Sequence, residues 1–92
     1  MKLKMYSIFD QATSAYMRPF FMQADGQAIR FFMDVANDKE SDIGKHPEDY
    51  SLCRIATFDD QSAYVEAEKV RVLITGLEST SRSGDMAREQ EL

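Results

Sequence analysis

Apolar and polar residues alternate at several points along the chain, which predicts β-strands. The first predicted strand covers residues 2–9. Its apolar side carries Leu3, Met5 and Phe9, and its polar side carries Lys2, Lys4 and Tyr6. A turn at residues 10–14 should lead into a second strand at 16–22, paired with the first as a hairpin. Pro19 has no amide donor, so the second strand is expected at a sheet edge or broken there.

Residues 25–37 carry the spacing of an amphipathic helix. Asp25 is predicted as its N-cap, because a carboxylate accepts hydrogen bonds from the free amides of the first turn. Phe31 lies off the apolar stripe and is expected at its margin or in an interface. Asn37 and Asp38 are the expected stop signals. The predicted buried stripe is Ile29, Phe32, Met33 and Ala36.

The second half of the chain predicts a polar loop at residues 39–49 and a strand at 50–58. After a turn at 59–61, a strand is expected at 63–66. Residues 70–74 suit a last strand, with a short helix as the alternative, and Gly76 should end this element. From residue 78 onward the chain is polar and poor in large apolar residues, which is typical of a disordered tail. The prediction is therefore one domain at residues 1–77 and a disordered tail at 78–92.

The order of these elements, β-β-α-β-β, predicts an α+β fold. We expect a small antiparallel sheet of four or five strands that packs against a single helix. The side chains expected beneath the helix are Leu3, Met5, Phe9, Met17, Phe21, Cys53 and Ile55.

Composition limits the fold to a single small core. The chain has 92 residues, of which 43% are hydrophobic, and a formal net charge of −5. A domain of this size buries a limited share of its surface, so a dimer or partner that hides more apolar area is expected to help. The net negative charge disfavours a protein that coats nucleic acid through bulk electrostatics. No run is apolar and long enough to predict a membrane span or a signal peptide.

Catalytic and metal-binding patterns are sparse. The chain has one histidine, His46, and one cysteine, Cys53, so a zinc motif from a single chain is not expected. His46 lies near Glu48 and Asp49, but we interpret this tract as a loop that positions the next strand. Cys53 is expected to be a buried, reduced thiol. We therefore predict no cofactor, no metal, no catalytic residues and no enzyme activity.

The strongest candidate surface is a sheet face on which aromatic residues alternate with cations. If the polar sides of three predicted strands coincide opposite the helix, aromatic rings could stack bases while cations meet phosphates. The candidate nucleic-acid-binding residues are Lys2, Lys4, Tyr6, Tyr16, Arg18 and Arg54. The same pattern also fits an ordinary exposed sheet face. A third interpretation is that Phe20, Leu52 and Phe58 on this side are covered by a second subunit.

Four tracts resemble a known viral family. They are MKLKMYSIFD at the start, RPFFMQADGQAIRFFMD at 18–34, HPEDY at 46–50 and IATFDD at 55–60. The chain resembles the small nonstructural protein, the product of the fifth open reading frame, of gokushovirus-type microviruses. The resemblance covers about residues 1–66.

These viruses carry small circular single-stranded DNA genomes. The resemblance implies a nonstructural protein in the host (bacterial) cytoplasm that is accessory to genome replication, in the switch from duplex replication to single-stranded DNA synthesis. The first hypothesis is therefore direct binding of single-stranded DNA or of viral or host replication proteins. The alternative is a homodimeric protein-interaction module that acts on a viral or host protein without touching DNA.

Overall fold

Five strands form one antiparallel sheet, and a helix covers part of one of its faces. The computed structural model describes residues 1–81. The sheet order is β2-β1-β4-β5, and β3 also pairs with β1. The α+β class is confirmed. The elements are β1 Lys2–Asp10, β2 Ala15–Tyr16, β3 Phe20–Met22, α1 Asp25–Ala36, α2 Asp42–Lys45, a 3-10 turn Pro47–Asp49, β4 Tyr50–Asp59 and β5 Val65–Thr75.

The predicted second strand is divided at Pro19, as its sequence indicated. Tyr16 in β2 pairs with Phe9, and Phe20 in β3 pairs with Tyr6. Residues 17–19 between them lie outside any strand. The chain leaves the sheet after Tyr16. Pro19, which cannot donate to a strand ladder, is the last residue of this break, and pairing resumes at Phe20.

Helix α1 buries a stripe close to the predicted one. Phe32 and Ala36 are buried as expected, and Ala28 joins them in the core. Ile29 and Met33 lie at the flank of the core and are half-buried. The buried stripe is therefore rotated slightly from the predicted one, toward Ala28.

The helix ends where predicted but begins one residue differently. Asn37 closes it, and its side-chain amide donates to the carbonyl oxygen of Met33 at 2.8 Å. The N-cap is Ala24, whose backbone N–H donates to the Gln27 side chain at 3.2 Å. Asp25 is the first helical residue, so its predicted N-cap role is wrong. Its carboxylate binds other side chains, described below.

The sheet presents to α1 the face opposite to the predicted one. Tyr6 and Ile8 of β1 are buried in the core, together with Leu52 and Ile74. Side chains alternate along a strand, so Leu3, Met5 and Phe9 point away from the helix. The predicted set beneath the helix, Leu3, Met5, Phe9, Met17, Phe21, Cys53 and Ile55, is therefore wrong. Strand β1 has apolar residues on both sides, and alternation alone cannot distinguish them.

A β-bulge in β4 adds to this reversal. Tyr6 pairs with Arg54 and its neighbour Met5 pairs with Ala56, which leaves Ile55 as an extra residue. A bulge of this kind shifts the alternation, so Arg54 faces the helix side while Ala56 faces away. A prediction by strict period-two alternation therefore fails along this strand.

The polar loop at residues 39–49 contains a short helix that the sequence did not indicate. Ile43 in α2 is buried in the core. The Ser41 hydroxyl accepts a hydrogen bond from the Gly44 amide at 2.9 Å and caps the helix. A Cβ at residue 44 would collide with the carbonyl oxygen of Asp38, so only glycine fits there. The loop is thereby fixed against the core.

The folded part extends beyond residue 77. Strand β5 ends at Thr75, before Gly76, as expected, but residues 76–81 are helical. Ser79 is buried, and its hydroxyl donates to the Thr75 carbonyl oxygen at 2.9 Å. The helix at residues 76–81 thus passes the predicted boundary at residue 77, and the rest of the predicted tail, 82–92, lies outside the described residues. Within residues 1–81, no helix is long and apolar enough to cross a membrane.

Candidate functional site

The six candidate nucleic-acid-binding residues do not share one face. Tyr6 is fully buried beneath α1, and Arg54 faces the same side. Lys4 faces that side too, since it lies two residues from Tyr6 in the same strand. Tyr16 pairs with Phe9 on the opposite face.

The two remaining candidates lie at the margins of the sheet. Lys2 is exposed near the start of β1, and Arg18 is exposed between β2 and β3. The predicted arrangement, one face of alternating aromatics and cations opposite the helix, is therefore wrong. A role of these residues in DNA binding stays a prediction.

Two of the candidates belong to a polar network that we call the Asp25 cluster, formed by Tyr6, Asp25, Arg54, Glu68 and Arg71. The Tyr6 hydroxyl donates to an Asp25 carboxylate oxygen at 2.7 Å. Arg54 donates to both Asp25 oxygens at 3.2 Å and, through Nε, to Glu68 at 3.0 Å. Arg71 reaches Asp25 at 3.5 Å. The cluster ties the first turn of α1 to strands β1, β4 and β5.

The contacts within the Asp25 cluster shift the pKa values of its members, so that each keeps a single protonation state near neutral pH. Burial and the hydrogen bond to Asp25 raise the pKa of the Tyr6 hydroxyl. Burial alone would raise the pKa of the Asp25 carboxyl, but the hydrogen bond from Tyr6 and the charges of Arg54 and Arg71 outweigh it and lower that pKa. The hydrogen bond to Glu68 raises the pKa of Arg54. Asp25 therefore stays ionised and Tyr6 stays neutral, which suits a structural clamp.

A shallow cleft of about 360 Å³ adjoins the cluster. It is lined by Arg54, Glu68, Lys69, Val70 and Arg71. Arg54 is committed to two carboxylates, and its side chain is only 18% exposed. Two of the three cations in the cleft, Arg54 and Arg71, are therefore paired with acids, whereas Lys69 forms no ion pair within residues 1–81.

The sheet face turned away from α1 is the larger candidate surface, which we call the open face. Its members are identified by pairing, because residues directly opposite in neighbouring strands share a face. They are Leu3, Met5, Ser7, Phe9, Tyr16, Phe21, Ser51, Cys53, Ala56, Phe58, Val65, Ala67, Val72 and Thr75.

The open face is apolar and partly accessible. Phe21 is 44% exposed, Val65 50% and Val72 56%. Phe21 lies against Phe58 with ring centroids 5.4 Å apart, and Phe9 lies against Tyr16 at 4.9 Å. An exposed apolar surface that spans several strands is the usual mark of an interaction site.

The paired positions of the open face carry no charge, in a chain that is otherwise rich in charged residues. Within residues 2–75, these positions hold aliphatic, aromatic, thioether, hydroxyl or thiol side chains. Lys4, Arg54 and Arg71 pair on the opposite face. Phosphate recognition depends on cations, whereas an uncharged apolar face favours a protein partner.

The two remaining chemical candidates have ordinary surroundings. His46, Glu48 and Asp49 bring their ligand atoms within 4.8 Å of one another, but His46 and Glu48 are exposed and their closest contact is 3.8 Å. Cys53 is buried, as predicted, and burial raises the pKa of its thiol. A thiol that is buried and protonated is a poor nucleophile.

These features define a small α+β domain with a polar clamp at the start of its helix and an apolar sheet face. The chain belongs to the phage ORF5 protein family, whose model matches residues 3–80. No curated protein and no solved structure matches it. The resemblance seen in the sequence is thereby confirmed at the level of a phage ORF5 protein, and the match includes residues 67–80 that the sequence tracts did not reach.

Proposed function

We propose that this phage protein is a nonstructural accessory of genome replication, acting in the step that makes single-stranded DNA. Membership of the phage ORF5 family supports a viral role. The resemblance to gokushovirus-type proteins supports the replication step. We infer that the chain works by protein contact, without a catalytic step of its own, in the cytoplasm of the host bacterium.

The open face supports a function by protein contact rather than by DNA coating. Its paired positions are uncharged, while Arg54 is held in ion pairs with Asp25 and Glu68. A protein that coats single-stranded DNA needs free cations along a groove beside its stacking aromatics. The separation of Lys4 and Tyr16 onto opposite faces works against such a groove.

Direct binding of single-stranded DNA remains a second candidate, favoured by the aromatic pairs on the open face. Phe21 and Phe58 lie at one end of that face, and Phe9 and Tyr16 lie toward the other. Exposed aromatic rings stack bases with little regard to sequence. Arg18, which is exposed beside β2, is the nearest candidate cation in sequence to Tyr16.

A titration with labelled single-stranded DNA separates the two mechanisms. Fluorescence anisotropy would be followed at about 20 mM and about 200 mM salt, because phosphate contacts make affinity fall steeply with salt. Protein contact predicts no saturable binding at micromolar protein at either salt concentration. Tight binding at low salt, weakened by Lys4→Glu or Arg18→Glu, would instead establish direct DNA contact.

The replication role needs a test in infected cells. A phage in which this gene is interrupted is expected to accumulate duplex DNA relative to single-stranded genomes, measured by strand-specific hybridisation. An unchanged ratio of the two DNA forms would refute the replication role. Restoration of the ratio by a copy of the gene carrying Arg18→Glu would favour protein contact over DNA contact.

A further inference from the structure

We propose that the open face is the interface between two copies of this chain, packed sheet against sheet about a two-fold axis. The first protein that the chain contacts in the proposed function is then a second copy of itself. The dimer rests on the proposed function only for its biological purpose. A two-fold axis brings the same surface of each copy together, so the surface must complement itself.

The open face has the size of a small interface. The five strands together hold 35 residues. At about 3.4 Å per residue and about 4.8 Å between strands, the flat footprint is about 570 Å². Ser7, Cys53 and Ala56 within it are already buried in the single chain, so the area that a partner would newly cover lies below the roughly 800 Å² per partner of a standard interface, at the low end of the range.

The distribution of charge on the chain favours a second copy of it as the partner that covers the open face. Each chain carries a net charge of −5, so two copies repel wherever charged surfaces meet. The paired positions of the open face avoid this, because they hold no charged side chain within residues 2–75. A strongly acidic or basic partner would find no opposite charge on this face. A second open face is uncharged too, so two such faces can pack together without leaving a charge unpaired.

The open face also has the composition of an interface core. Leu3, Met5 and Phe58 are half-buried within it, and Phe21 and Val65 beside them are more exposed. Aromatic residues and methionine are enriched in interfaces, and charged residues are depleted from their centres. Packing two such faces about 10 Å apart would give a β-sandwich whose inner layer is formed by both copies.

Pairing along an edge of the sheet is a less favourable way to dimerise. One edge is formed by β2 and β3, which have only two and three residues. Strand β5 forms the other edge, and it carries Glu66, Glu68, Lys69 and Arg71. Its pairing with β4 is also irregular between Arg54 and Ala56. Charged side chains and bulges are the features by which edge strands avoid pairing with other chains. Contact through the face is therefore favoured over contact through the edge.

The oligomeric state tests the proposal directly. Size-exclusion chromatography with light scattering should give a mass of twice the 10.5 kDa chain as the concentration rises from about 5 µM to about 500 µM. Val72→Lys places a charge on the open face and should raise the dissociation constant at least about 100-fold, because the two-fold axis buries the added charge twice.

The matched control lies in the same strand but on its other face. Glu66 is exposed and pairs with Thr57 on the face turned toward α1. Glu66→Gln raises the net charge by one unit, as Val72→Lys does, and should leave the dissociation constant within about threefold, since surface substitutions away from a contact have small effects. Circular dichroism would establish that each variant folds. If Val72→Lys does not fold, Val65→Lys serves in its place, since Val65 pairs with Phe58 and is 50% exposed.

Each outcome decides the proposal. A mass of 10.5 kDa at about 500 µM overturns it, as does equal weakening by Glu66→Gln and Val72→Lys. A monomer that binds an oligonucleotide through Val72 would assign the face to DNA and also overturns it. These results are separate from the DNA ratio in infected cells, so the dimer and the replication role can fail independently.

Discussion

The Asp25 cluster should contribute measurably to stability, and its hydrogen bond from Tyr6 can be tested in isolation. Tyr6→Phe removes only the hydroxyl, while the ring keeps its place in the core. That hydroxyl lies 2.7 Å from a carboxylate held ionised by two arginines. Hydrogen bonds to charged groups contribute about 1.5–3 kcal/mol, so Tyr6→Phe should lower the free energy of unfolding by about 2 kcal/mol.

A double-mutant cycle isolates this interaction from the rest of the cluster. Asp25→Ala should cost about 3 kcal/mol, because it leaves the buried Tyr6 hydroxyl without its acceptor and Arg54 with Glu68 alone. The double variant should lose less than the sum, with a coupling free energy of about 1–2 kcal/mol. Urea unfolding followed by circular dichroism gives all four values, and it suits a chain without tryptophan.

The control is a tyrosine outside the core. Tyr64 is 65% exposed, so Tyr64→Phe should change the free energy of unfolding by less than about 0.5 kcal/mol. A coupling free energy below about 0.3 kcal/mol between Tyr6 and Asp25 would show that they act independently. The interpretation of the cluster as a clamp would then be refuted.

Three further predictions follow from single sites. The pKa of Asp25 is lowered in the fold, so its contribution should be complete above the ordinary aspartate value of 3.8 and be lost as pH falls through the lower folded pKa. The stability gap between wild type and Asp25→Asn, measured by urea unfolding, should therefore narrow below that pH. Gly76→Ala should cost more than about 2 kcal/mol in the same assay, because its Cβ would collide with the Pro47 carbonyl oxygen. Cys53 should react with a thiol reagent at least about tenfold faster in urea than in the native protein, since it is buried and protonated in the fold.

Much of the fold could be predicted because local signals agreed with it. Pro19 marked the break between β2 and β3, and Asn37 marked the end of α1. Phe32 and Ala36 followed helical spacing into the core. These signals act within a few residues of the chain, so a single sequence contains them in full.

The assignment of faces could not be predicted, because it depends on pairing between distant residues. Tyr6 looked suited to solvent, yet its hydroxyl finds an acceptor in Asp25, nineteen positions away in sequence. A buried tyrosine is stable when its polar end is satisfied, and only the fold reveals the partner. The Ile55 bulge similarly depends on the register between β1 and β4.

The predicted arrangement of the candidate site failed for the same reason. The sequence placed Phe20, Leu52 and Phe58 on one exposed sheet face, but only Phe58 lies on the open face, because Leu52 is buried in the core and Phe20 packs against it. The sequence prediction also placed Arg54 on that predicted face as a solvent-exposed cation. In the structure, Arg54 forms ion pairs with Asp25 and Glu68. One signal was present in the sequence: Leu3, Met5 and Phe9 alternate with Tyr6 and Ile8, so β1 is apolar on both sides and one of them had to face outward.

The Ile55 bulge has a consequence for comparing members of this family. The two halves of β4 are out of phase, because Leu52 and Arg54 face the helix side whereas Ala56 and Phe58 face away. A relative that lacks residue 55 would keep every other side chain of the strand on its present face. The loss of a residue elsewhere between 51 and 58 would reverse the side chains between the gap and the bulge. In alignments of this strand, a one-residue gap therefore belongs at position 55.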